Sequence, residues 1–196
     1  MERKGEATKH QLAECFKELM LKGSFDKITV RMITEQAGVI RPTFYNYFQD
    51  KYEVMEWLLE EEVFRPVFEM VEDGMEREAI YLLFRKMEKD QQYYQKAFEV
   101  TGQNGFEEIL CGKIRKLIRE LGHSHTVILS SHILSEVQAV CQQVLVLTPK
   151  GSTVLDLTTE TRNLEELYLE LTGTKSPENT DWNAWEEPNG AEGKED

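Results

Sequence analysis

Apolar residues recur along this chain with the spacing of helices over most of its length, and the tightest grouping lies between Ile28 and Lys51. There Val30, Ile33 and Ala37 fall at i, i+3 and i+7, behind Thr29, a residue type that caps helix N-termini. Gly38 follows, the residue a sharp or left-handed turn needs, and then apolar Val39 and Ile40. Pro42 stands where a second helix tolerates proline, in its first turn. Phe44 and Phe48, four apart, share a face assigned to the core. Pro42, Thr43 and Asn46 then point roughly the other way, flanked by Tyr45 and Tyr47. A short helix with an aromatic root and a small polar outer edge fits a DNA major groove. The same helix, turn and helix is also a common corner with no ligand, and the pattern alone does not choose.

Upstream, Met1 to Ala7 reads as a short charged arm. A helix is expected from about Thr8 to Lys22, with Leu12, Phe16, Leu19 and Met20 on one face. Phe25 and Ile28 should plug the same small core. Downstream, Asp50 and Glu53 form a capping-box signal for a fourth helix carrying Val54, Trp57 and Leu58, which Pro66 should kink or end. Met75 to Asp90 reads as a helix with Ile80, Leu83, Phe84 and Met87 on one face. Tyr93 to Val100 reads as another, with Tyr94, Ala97 and Phe98, an aromatic group that serves as core or lines a pocket. A further helix spans about Gly105 to Leu121.

The stretch SFDKITVRMITEQAGVIRPTFYNYFQDK, above all A-G-V followed by T-F-Y-x-Y-F-x-x-K, resembles the DNA-binding domain of TetR-type transcriptional regulators over about the first sixty residues. The run YYQKAFEVTGQNGFEEIL is similar to a subgroup that includes regulators of dihydroxyacetone kinase. The resemblance implies operator binding to double-stranded DNA as a homodimer, with Arg41, Pro42, Thr43, Tyr45, Asn46 and Tyr47 at bases and phosphates. Thr29, Arg31 and Lys51 would act mainly as backbone clamps. It also implies a small-molecule effector of unknown identity, acting through the fourth helix.

Beyond Gly122 the pattern changes to β-branched runs: TVILSS, a helix-like ILSEVQAVC, then QQVLVLTPKGSTVLDLT. Together they read as β-α-β-β. Residues 114 to 173, through IRELGHSHTVILSSHILSEVQAVCQQVLVL and LEELYLELTG, resemble the last part of an ABC-transporter ATPase domain, and His132 matches its switch histidine. Phosphoryl transfer needs a G-x-x-x-x-G-K-[ST] cradle, and the chain has none. Gln142 and Gln143 also depart from the Asp-Arg usual in that family. No enzyme activity and no cofactor is expected, and His132 is expected to be structural.

Composition refines this picture. The net charge of −13 divides unevenly. Residues 1 to 52 hold nine Lys or Arg against seven Asp or Glu, and the remainder 14 against 29, so a mildly basic head precedes an acidic body. Cys15, Cys111 and Cys141 are odd in number and scattered, which suits reduced thiols in a cytoplasmic protein. The pair His123 and His125 lacks the further ligands of a metal site. No signal-peptide pattern and no apolar run of membrane-spanning length is present.

The expected protein is mainly α. A helix-turn-helix head (1–60) and a partial helical body (61–112) precede an ATPase-like β-α-β-β segment (113–173) and a disordered acidic tail (174–196). Two rival readings are an interaction protein whose helix-turn-helix no longer binds DNA and a remnant of a transporter ATP-binding subunit without ATPase activity.

Overall fold

The computed structural model describes residues 2–102, 104–148 and 151–173, so the expected acidic tail lies outside the described residues. The chain divides into two compact units, Met1–Thr126 and Val127–Asp196.

In the first unit, α1 (Glu2–Lys22) is longer than expected, because the charged arm continues the helix instead of preceding it. Every residue from Glu2 to Lys9 is compatible with helix except Gly5, and one glycine costs only about 1 kcal/mol. Its inner face buries Leu12, Ala13, Phe16 and Met20 completely. A 3-10 turn, Phe25–Lys27, brings Phe25 edge-on to Phe16. Next come α2 (Val30–Gln36) and α3 (Arg41–Tyr45). The Thr29 hydroxyl accepts from the Met32 amide, the cap read from sequence. Gly38 holds a φ of +66°, the left-handed turn that separates α2 from α3. Phe44 and Phe48 are both buried with ring centroids 5.7 Å apart, and Trp57 closes on Phe48 at 5.8 Å.

The fourth helix begins as read: the Asp50 carboxylate accepts from the amides of Tyr52 and Glu53. It neither ends nor breaks at Pro66. Instead α4 (Lys51–Leu59) passes into a π-helical turn, Glu60–Phe64, and then α5 (Arg65–Glu72). Proline lacks an N–H and crowds the carbonyl four residues back, and the wider π turn accommodates both faults without stopping the helix.

Then follow α6 (Glu76–Lys89), α7 (Gln91–Phe98) and α8 (Phe106–Ser124). Tyr93, Tyr94 and Ala97 are core. Phe84 is not on the buried face with Leu83 as expected: it is 67% exposed, because Ala79 and Leu83, not Phe84, define the packed side of α6. The expected division between residues 112 and 113 falls inside α8, whose Phe106 and Leu117 are both buried in the first unit.

The second unit holds α9 (Leu134–Val140), a hairpin of β1 (Gln143–Thr148) and β2 (Gly151–Asp156), and α10 (Leu164–Thr172). The strands pair antiparallel with Val146 opposite Thr153. Val137, Val146, Leu164 and Leu167 make its small core. The first expected strand, within TVILSS, does not form. Among the described residues the sheet has two strands only, and Ile128 is 91% exposed. β-branched composition favours extended backbone, but a strand exists only where a neighbour accepts its ladder bonds.

Candidate nucleic-acid interface

Three positions on one edge of the head are exposed and chemically suited to DNA. Arg41 opens α3, Tyr45 closes it, and Asn46 follows as its C-cap. The Arg41 guanidinium lies over the Tyr45 ring, 5.5 Å from its centroid, and donates to the Tyr45 hydroxyl from Nη2 at 2.8 Å. An arginine stacked on an aromatic ring is held in one orientation, with its remaining N–H donors free to fork onto a phosphate or a guanine edge. Phe44 points the other way, buried, with its ring edge-on to Tyr45 at 5.5 Å. The core therefore fixes the angle at which the Arg41–Tyr45 pair is presented.

The remaining sequence-derived positions divide by environment. Pro42 and Thr29 are exposed, and Thr43 is half-buried. Arg31 is exposed, with Nε 2.7 Å from a Glu35 carboxylate oxygen one turn on. That hydrogen bond and the charge beside it hold its pKa above the ordinary arginine value. Tyr47 is half-buried, its hydroxyl lying where a Cβ on Gly5 of α1 would meet it at 3.4 Å. Lys51 is turned inward: its ammonium donates to the carbonyls of Phe25 at 2.7 Å and Ile28 at 3.2 Å and lies 4.1 Å from the centre of the Phe25 ring. Partial burial pushes its pKa down. One of its three N–H donors is left for a phosphate.

Sequence reading missed a second cluster, at the joint between the head and the helical body. Lys17 of α1 reaches Glu62 of the π turn at 2.7 Å and Asp90, just before α7, at 3.0 Å. Burial opposes its charge, but the bonds to the two carboxylates outweigh that and raise its pKa. Glu14, one turn earlier, has its pKa raised, chiefly by desolvation and further by Glu62. Lys96 of α7 donates to the Gly23 carbonyl at the end of α1. A cavity of about 460 Å³ opens beside Lys17, Glu62 and Asp90, with Tyr94 in its wall. No local signal could have exposed this cluster, since its partners lie 45 and 73 positions apart.

Among the described residues no group of three or more metal-ligating side chains converges. His125 is 3.7 Å from Glu76, and His132 is exposed in the turn before α9. Among the described residues no helix is long and apolar enough to cross a membrane.

A three-helix head that roots a short helix on phenylalanine and offers its arginine edge outward defines a helix-turn-helix protein. Residues 17–58 match the family of bacterial regulatory proteins of tetR type. Among curated proteins it is 32% identical over 97 residues to the HTH-type dhaKLM operon transcriptional activator DhaS of Lactococcus lactis subsp. lactis (strain IL1403). That match takes in 47% of this chain and spans about half, 50%, of the relative. A solved structure, the dihydroxyacetone kinase operon activator DhaS, aligns with a TM-score of 0.46 at 25% identity, covering 67% of this chain and 77% of that one.

Proposed function

We propose that this chain is a sequence-specific DNA-binding regulator that reads a palindromic operator as a homodimer. The observation that carries the reading is the exposed Arg41–Tyr45 pair on an edge fixed from behind by buried Phe44. Arg41, Thr43, Tyr45 and Asn46 would read base edges or adjacent phosphates. Pro42 and Tyr47 would shape that edge, and Thr29, Arg31 and Lys51 would hold the backbone. The mildly basic charge of residues 1 to 52 supports approach to phosphates from a body that is otherwise acidic. In this reading the chain acts in the cytoplasm.

Control would pass from the helical body to the head through α4, the π turn and α5, with an effector favouring one of two head spacings. The relative's name makes the DNA upstream of dihydroxyacetone kinase genes one rational probe, and the DNA upstream of this chain's own gene another. A mobility-shift titration at several salt concentrations tests the proposal, with Asn46→Ala and Thr43→Ala beside the wild type. Wild-type binding that is tighter on one probe and lost in the variants is the expected result. Equally weak binding by all three proteins at every salt concentration would sink it.

A further inference from the structure

On α6, Ala79 and Leu83 face the core, and the side turned from them carries a stripe of Arg77, Tyr81, Phe84 and Glu88. Their spacing of four, three and four keeps all four side chains on one line along a helix. An outward helical line is ordinarily polar throughout. Here its centre is two large aromatics, Tyr81 at 63% and Phe84 at 67% exposure. Arg85, one turn beyond Tyr81, donates to the Tyr81 hydroxyl at 3.0 Å and stacks against its ring, which holds that ring in place before any partner arrives.

The order of the stripe identifies the partner. Read in reverse on an antiparallel helix, Arg-Tyr-Phe-Glu becomes its own complement: Arg77 faces the partner's Glu88, Tyr81 faces the partner's Phe84, and each contact occurs twice. A two-fold interface requires that kind of self-complementarity. We propose that α6 is the seam of a homodimer, packed antiparallel on α6 of a second copy. Two aromatic pairs would lie at its centre and two opposite-charge pairs at its ends. The inference rests on the dimeric reading above and adds the surface that would make the dimer.

A single pair of helices buries less than a stable interface of about 1,000 Å² or more, so the dimer should be concentration-dependent and in exchange with monomer. Sedimentation of the full chain without DNA, over a wide concentration range, tests this. The expected result is a monomer–dimer equilibrium that Tyr81→Glu with Phe84→Glu abolishes. Arg77→Glu or Glu88→Arg alone sets two like-charge contacts in the seam and should weaken the dimer about tenfold or more. Arg77→Glu combined with Glu88→Arg should restore it. Within one chain these residues are eleven apart, about 16 Å along the axis, so a restoration of that kind comes only from contact between copies.

All four positions are exposed, and circular dichroism of each variant checks that it is folded. A monomeric wild type overturns the inference. A dimer indifferent to the aromatic variants, or a charge exchange that does not restore, overturns it equally. Binding to a single half-site, measured in parallel by fluorescence anisotropy, reports on the head alone. The seam can therefore fail while the regulator reading stands.

Discussion

Lys17 of the head and Glu62 of the π turn meet at 2.7 Å, and Asp90 meets the same ammonium at 3.0 Å. This places a charged fastening where the helix-turn-helix head joins the helical body. The lysine side chain is only 13% exposed, so removing it strands two carboxylates that are themselves largely covered. Lys17→Met should destabilise the first unit by about 1–3 kcal/mol, less than a fully buried pair would cost because solvent still screens the acids. Chemical denaturation reads the loss. A variant as stable as the wild type would show that the fastening adds nothing.

Glu14 beside it gives a pH prediction. Its folded-state pKa is raised above the ordinary value of 4.5, so its ionised form is the disfavoured one. The folded state therefore carries a penalty at neutral pH, relieved as pH falls through the raised pKa. Glu14→Gln should raise the thermal midpoint at pH 7, and the gain should vanish below about pH 4, where both states of the wild type are protonated. An equal gain at both pH values would assign the effect to packing.

Gly38 tests the turn between α2 and α3. At φ +66° an alanine takes up a left-handed conformation costing about 1–2 kcal/mol, whereas asparagine tolerates it better. Nothing lies within 4 Å of the added methyl, so the backbone alone sets the cost. Thermal unfolding of Gly38→Ala and Gly38→Asn should rank alanine as the more damaging.

Arg41 and Tyr45 separate phosphate contact from base contact. Arg41→Ala should weaken binding to an operator about tenfold or more. A phosphate role lowers the salt slope by about one and weakens all sequences alike, while a base role relaxes specificity at one position. Tyr45→Phe keeps the ring under the guanidinium but removes its hydrogen bond, so a smaller loss in the same direction is expected.

The second unit exposes Leu145, Leu147 and Val154 along its hairpin, with Val146 turned inward. Such an apolar strand face promotes self-association. Leu147→Lys should reduce light scattering on concentration without lowering the unfolding temperature, whereas Val146→Lys should unfold the unit.

Local chemistry is legible from residue order. The Thr29 and Asp50 caps, the left-handed Gly38 and the burial of Phe44 with Phe48 each depend on neighbours within a few positions, so the head could be read from sequence before its structure was known. Order along the chain does not carry what distant segments do to one another. Pro66 does not end the helix, because a π turn before it takes up the fault, and Phe84 faces outward because Ala79 and Leu83 claim the core. The run Thr126 to Ser130 stays unpaired because no neighbouring strand accepts its bonds. Lys51 and Lys17 look alike as surface lysines, and only tertiary structure gives one to two backbone carbonyls and the other to two carboxylates. Caps, turns and periodicity are set by short-range sterics and hydrogen bonds. The choice of partner across 23 to 73 positions is set by which faces the packed helices leave together.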